Sequence, residues 1–194
     1  MPLTPPAPRE HIHTRSIDLR GYVRQDGLYD IEARLVDTKT YSFHNEFRGE
    51  VIPGVPIHEM VMRLTVDESF LIHTVEAETE HSPYPVCPEI TPNFKRLEGK
   101  RMGRGWNKLV RELLGGVQGC THLVELLGPL ATVAFQTIRP YQRWKIKREL
   151  EAGQEDSTTQ RPFMLDTCHA WASTSPVVKR WMPKFYTGPD AGKK

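Results

Sequence analysis

The sequence predicts an α+β fold in which helices pack on one face of an antiparallel β-sheet. The first eighty residues alternate apolar and polar side chains with a period of two, which is typical of strands that bury one face. Later segments repeat their apolar residues at helical spacing. Because the strands precede the helices rather than alternate with them, an antiparallel sheet is favoured over a parallel one. A chain of 194 residues can bury a core without disulfides.

A hairpin is predicted between His11 and Asp37. Its turn lies at Gln25-Asp26-Gly27, and Asp-Gly between two β-rich runs is a strong hairpin signal. The second run of this hairpin has one apolar face, which we expect to face the core: Tyr29, Ile31, Ala33 and Leu35.

Two more strands are expected after a loop at residues 44–57. The segment HEMVMRLTVD presents an apolar face of Met60, Met62, Leu64 and Val66. The segment FLIHTVEAETE follows, with Leu71, Val75 and Ala77 facing inward. The next segment, HSPYPVCPEITPNF, contains four prolines, which exclude a central strand or a helix interior and predict a loop.

Two helices are predicted in the following part of the chain. WNKLVRELL is a short helix that ends at Gly115, and a longer helix begins near Thr121. Pro129 should kink the longer helix or mark a break one turn earlier. Its apolar residues recur at helical spacing: Leu123, Leu126, Leu127, Leu130 and Ala134.

The expected organisation is a single α+β domain over residues 11–150 between less ordered segments. Residues 1–10 and 189–194 are predicted to be disordered, and residues 151–160 to form a linker. The segment 161–188 is expected to dock on the domain or on a partner chain. Docking would bury its large apolar residues: Phe163, Leu165, Trp171, Val177 and Trp181.

Composition limits the classes of partner. The net charge is +2 and the charges are interleaved, which argues against nucleic acid as a ligand. No signal-peptide pattern and no run of about 18 apolar residues is visible, so we expect a cytoplasmic protein without membrane contact. Three widely separated cysteines indicate free thiols rather than a disulfide framework.

The most suggestive site is GCTHLVE at the start of the longer helix. Cys120 would lie among unpaired N–H groups that favour its thiolate. His122 follows on the first turn, as a ligand or a general base, and Glu125 can reach it at i,i+3. Ordinary packing of Cys120 and a favourable helix-dipole position for Glu125 are the simpler alternatives.

Other candidate ligands are scattered. His58 opens a strand after a Gly-Val-Pro-Ile turn, and Cys87 is held close to Pro85 and Pro88. We expect His58, Cys87, Cys120 and His122 to bind one metal ion, with Glu125 and His122 handling protons. A reserve set lies in LDTCHA: Asp166, Cys168 and His169. No tight zinc motif such as CxxC is present.

The motifs DGLYDIEARLVD, GVPIHEM, GCTHLVELL and LDTCHA resemble a bacterial family of proteins of unknown function, the DUF2889 type. The order of strand, loop cysteine and Cys/His-headed helix more weakly resembles the IscU and NifU iron–sulfur scaffolds. That second resemblance implies that His58, Cys87 and the Cys120/His122 pair occupy the ligand positions. His58 stands where those scaffolds have a cysteine, and Thr121 separates Cys120 from His122. One Zn²⁺ or Fe²⁺ ion is therefore favoured over an iron–sulfur cluster.

Three functions remain open from the sequence. The first is a metalloenzyme of bacterial small-molecule catabolism, a hydrolase or lyase whose metal keeps a position open for water or substrate. The second is an iron–sulfur or zinc carrier without turnover. The third is a homodimeric binding module without metal, in which the cysteines only pack.

Overall fold

The computed structural model describes residues 3–149, 161–162, 164–189 and 191. They fall into two compact units divided after Glu149. The predicted linker at residues 151–160 and Phe163 lie outside the described residues. Residues 3–10 form neither helix nor strand and are exposed. Among the described helices, none combines the length and apolar character needed to cross a membrane.

The first unit is built on a four-stranded antiparallel sheet. Its strands are β1 (His13–Val23), β2 (Tyr29–Lys39), β5 (His58–Val66) and β6 (Ile72–His81), in the order β1-β2-β5-β6. The turn between β1 and β2 contains Gly27 at φ 85°, a conformation that glycine adopts without strain. The α+β class and the antiparallel sheet are therefore confirmed.

Two segments predicted as irregular loops contain regular structure. A small hairpin, β3 (Phe43–Asn45) and β4 (Gly49–Val51), overlaps the predicted 44–57 loop. The proline-rich stretch forms 3₁₀ turns over Cys87–Leu97. Short 3₁₀ turns tolerate proline where a long α-helix would not, and two apolar residues of this stretch, Phe94 and Leu97, anchor it in the core.

The helices begin where the sequence predicts. They are α1 (Trp106–Leu114) and α2 (Thr121–Glu149). Of the two alternatives predicted at Pro129, the break is wrong, since α2 continues through Pro129 and Pro140, whereas the kink stays a prediction. The indole N–H of Trp106 donates to the carbonyl of Leu127 at 2.9 Å, which ties α1 to α2.

The core lies between one face of the sheet and α2. Helix α2 contacts β1, β2 and β5 and therefore crosses three strands. The predicted inward faces of β2 and β5 are buried, as is the apolar stripe of α2: Leu123, Leu126, Leu127, Leu130 and Ala134. The opposite sheet face is polar, and Arg63 on it pairs with Glu32 and Glu76 at 2.8 Å each.

Gly21 marks the closest approach of α2 to β1. A Cβ atom at Gly21 would lie 1.8 Å from Oγ1 of Thr137 and 2.7 Å from its Cβ. The helix therefore rests on the bare strand backbone at this point. We expect Gly21→Ala to lower the free energy of unfolding by roughly 1–3 kcal/mol through overpacking. Chemical denaturation measures this change. Gly103→Ala is the control, because a Cβ there meets nothing within 4 Å. If both variants lowered the free energy of unfolding equally, the close contact at Gly21 would be contradicted.

The second unit contains a short helix, α3 (Pro176–Trp181), whose N-cap is the hydroxyl of Ser175. Leu165 is buried, and Trp171 and Val177 are partly buried. Trp181 is 69% exposed in the single chain, so its predicted burial against the domain or a partner chain stays a prediction. Val178 takes the buried position on α3 instead, since a helix this short turns only one side inward.

Candidate functional site

Three strands bring polar side chains into one row at the end of the sheet. Arg15 on β1 is in register with Asp37 on β2, and Asp37 is in register with His58 on β5. Residues paired directly across an antiparallel sheet share a face. This face is the one that carries Leu35 and Met60, so the polar row continues the apolar core where the core ends.

The longer helix, α2, places a second histidine beside this row. His122 lies on the first turn of α2, and its ring stacks on that of His58 with centroids 3.9 Å apart and planes inclined by 30°. Gly119 lets the chain enter the helix here. A Cβ on Gly119 would lie 2.2 Å from the carbonyl oxygen of Leu114, so this close passage requires glycine.

Asp37 is the centre of the site. Its side chain is almost fully buried, with a residue exposure of 2%. Arg15 donates two hydrogen bonds to the carboxylate, from Nε at 2.8 Å and from Nη2 at 2.7 Å. Nδ1 of His58 lies 3.1 Å from Oδ2, and Nε2 of His13 lies 3.3 Å from Oδ1. A buried carboxylate with this many partners is oriented as well as stabilised.

The protonation states follow from these contacts. Burial opposes ionisation of Asp37, but hydrogen bonds and charge from Arg15, with help from His58, lower the pKa of the carboxyl below its ordinary value. Burial lowers the pKa of His58 despite its hydrogen bond to Asp37. Burial, followed by the neighbouring His58 and Arg15, lowers the pKa of His122. The site therefore presents an anionic carboxylate and two neutral imidazoles at neutral pH.

Asp37, His58 and His122 form a group with the dimensions of a metal site. One ligand atom from each residue lies within 4.8 Å of the other two. Oδ2 of Asp37 is 3.1 Å from Nδ1 of His58 and 3.8 Å from Nε2 of His122. Ligands held tetrahedrally at about 2.1 Å from a metal are about 3.4 Å apart, so these two distances bracket the required value.

Cys120 and Glu125 lie beside this group rather than within it. Sγ of Cys120 is 3.8 Å from Nδ1 of His122. Asp37 lies near the other ring nitrogen of His122, Nε2. Glu125 does not contact His122 through a hydrogen bond; its carboxylate accepts one from Nη1 of Arg15 at 2.5 Å. Arg15 therefore bridges the buried carboxylate of Asp37 and the more exposed carboxylate of Glu125.

The remaining cysteines occupy other positions. Cys87 begins the 3₁₀ segment and is partly buried. Cys168 is exposed in the second unit, and Asp166 there accepts from the backbone N–H of Ser173 and from Arg161. Over the described part of the chain, the only grouping with metal-site dimensions is Asp37, His58 and His122. The predicted convergence of Cys87 and Cys120 on one point with His122 stays a prediction beside this Asp/His/His group.

Residues 13–136 match the family described as Protein of unknown function (DUF2889). The matched segment covers more than half of the 194 residues and includes every residue of the polar row. The chain belongs to this family. No curated protein and no solved structure matches the chain. The likeness to IscU and NifU scaffolds stays an expectation from the sequence.

Two members of the site in this family protein, Asp37 and Arg15, are absent from the sequence prediction, and a pattern in the sequence could have found only Asp37. The buried positions of β2 alternate from Tyr29 to Leu35, and the next residue in that series is Asp37. A carboxylate that continues an apolar face is unusual unless it is paired. Arg15 has no comparable signal, because its partner is identified only by the register between β1 and β2.

Proposed function

We propose that Asp37, His58 and His122 bind a divalent transition-metal ion, Zn²⁺ or Fe²⁺, and that this family protein is a metal-dependent hydrolase or lyase acting on a small molecule. The observation that carries the proposal is the clustering of one carboxylate and two imidazoles within 4.8 Å. Three protein ligands with a further open position are typical of catalytic rather than structural zinc sites. Two histidines and one carboxylate are also the ligand set of non-haem Fe²⁺ enzymes.

The charge balance of the site supports a dication. Asp37 and Glu125 carry two negative charges, and Arg15 contributes one positive charge between them. With His58 and His122 neutral, a divalent ion would leave a small positive excess. A metal bound there would polarise a substrate oxygen or lower the pKa of a bound water.

Residues around the proposed metal have distinct tasks. Arg15 keeps the Asp37 carboxylate ionised and fixed through two hydrogen bonds, as partners of metal-bound carboxylates do. The side chain of Glu125 is 46% exposed, so it can exchange protons with solvent and serve as the general base or acid. His122 becomes a ligand in this arrangement rather than a proton carrier.

A zinc titration tests this proposal. Calorimetric titration of the metal-free, untagged full chain with Zn²⁺ near pH 7 should give one site per chain. Because His58 and His122 are already neutral, binding should release few protons from them, and the heat should depend weakly on the buffer. Absence of saturable binding of Zn²⁺ and of Fe²⁺ would contradict the proposal. Release of all metal to a mild chelator would favour the carrier alternative.

A second candidate function rests on a different observation. The His122 ring contacts both Cys120 and Asp37, with 3.8 Å between Sγ and Nδ1 and 3.8 Å between Nε2 and Oδ2. A thiol, an imidazole and a carboxylate in this order are the elements of nucleophilic catalysis. Alkylation by iodoacetamide separates the two functions. Cys120 should react faster than the exposed Cys168 only if its imidazole activates the thiol.

A further inference from the structure

The first strand leaves one complete edge of the sheet open. β1 is the end of the strand order, and its 11 residues pair with β2 without a register shift. Nine of these residues have exposed side chains. Its sequence, HTRSIDLRGYV, contains no proline. Within the described residues, no other strand pairs with this edge.

The opposite edge of the same sheet is protected. The backbone N–H of Ile72 on β6 donates to the carbonyl of Lys100 at 2.9 Å, and that of Val75 donates to the carboxylate of Glu98 at 3.1 Å. Proteins usually cover, shorten or distort an edge strand because its free N–H and C=O groups attract other strands. Among the described residues, the 11-residue edge of β1 has no covering strand and no register shift.

The charges on β1 indicate which strand, and in which register, can pair with this edge. Asp18 and Arg20 flank Leu19 and project on the polar face of the sheet, where they form an exposed ion pair of 2.6 Å. A two-fold axis through Leu19 would set Asp18 opposite the partner's Arg20 and Arg20 opposite the partner's Asp18. An axis through Asp18 or through Arg20 would instead set like charges face to face, which destabilises a strand pair.

We propose that the β1 edge pairs antiparallel with β1 of a second copy of this chain, with the two-fold axis at Leu19, to form a continuous eight-stranded sheet. The inference is independent of the proposed metal site. A two-fold interface brings identical residues together in reciprocal pairs, and the Asp18-Leu19-Arg20 order is self-complementary under that operation. An unrelated strand would not necessarily place opposite charges against both Asp18 and Arg20.

Sedimentation velocity of the full chain over a wide micromolar range tests the proposal. The wild-type protein should show a concentration-dependent dimer. Asp18→Arg and Arg20→Asp should each weaken dimerisation by about tenfold or more, since each turns two attractive cross-strand pairs into repulsive ones. An equimolar mixture of the two single variants should form a heterodimer, because both cross-strand pairs between them again join opposite charges. Glu76→Arg, on the same polar face but on β6, should leave association unchanged.

The mixture distinguishes loss of pairing from loss of folding, because single variants that fail to fold would not pair with each other. A wild-type protein that stays monomeric throughout the range would overturn the proposal. So would single variants that dimerise normally, or single variants that lose the dimer and form no heterodimer when mixed. Higher oligomers would also count against it, because a closed two-fold pairing uses up both β1 edges.

Discussion

Replacing His122 with alanine is expected to weaken zinc binding by more than about a hundredfold. Losing a residue that only orients a ligand already costs about ten- to a hundredfold, and His122 supplies one of three proposed ligand atoms. His58→Ala should have an effect of the same order. Competition with a chromophoric zinc chelator measures both affinities on folded protein.

The control for this loss is a histidine outside the site. His44 on β3 is exposed, and His44→Ala should keep the wild-type affinity. The stacked geometry of His58 and His122 gives a second check, because alanine at either position removes the ring contact as well as a nitrogen. His122→Gln, which keeps a polar side chain there, should fail to restore tight binding. If it did restore it, His122 would have a packing role instead.

Replacing Asp37 with alanine is expected to lower the free energy of unfolding by about 2–3 kcal/mol in metal-free protein. Removing one partner of a buried charge pair costs about 3–5 kcal/mol, and the side chain of Arg15 is 32% exposed, so water compensates part of the loss. His58 also loses its hydrogen-bond acceptor. Urea denaturation at neutral pH provides the measurement.

A matched substitution controls for the loss of a carboxylate as such. Glu76 also pairs with an arginine, Arg63, at 2.8 Å, but its side chain is 66% exposed. Exposed ion pairs contribute little to stability, so Glu76→Ala should change it only slightly. If the two variants lost equal stability, the burial of Asp37 would not have the energetic role assigned to it.

The apolar faces of this protein can be predicted from the sequence, whereas the meeting points of its polar residues cannot. The alternation in β2 and β5 and the spacing in α2 identify their buried residues, because burial follows local periodicity. The prediction of a loop for the proline-rich segment differs from the structure for a related reason. Proline excludes a long helix or a central strand, but Phe94 and Leu97 provide enough burial for 3₁₀ turns at Cys87–Leu97.

The candidate site depends on long-range register, which the sequence does not specify. The sequence identifies His58 and His122 as candidate site residues by their local positions, since His58 begins a strand and His122 lies in the first turn of a helix. Their common partner Asp37 is 21 residues from one and 85 from the other along the chain. Cysteine residues are candidates from the sequence because they are few and reactive. The structure instead assembles oxygen and nitrogen atoms from three strands and one helix.

The most direct test of the central claim is metal analysis combined with X-ray absorption on untagged protein loaded with one equivalent of Zn²⁺. The account predicts close to one bound zinc per chain, with only nitrogen and oxygen neighbours at about 2.0–2.2 Å. A sulfur neighbour at about 2.3 Å would contradict the Asp37, His58 and His122 site and point back to Cys87 or Cys120. Protein that retains no zinc after gel filtration would contradict metal binding itself.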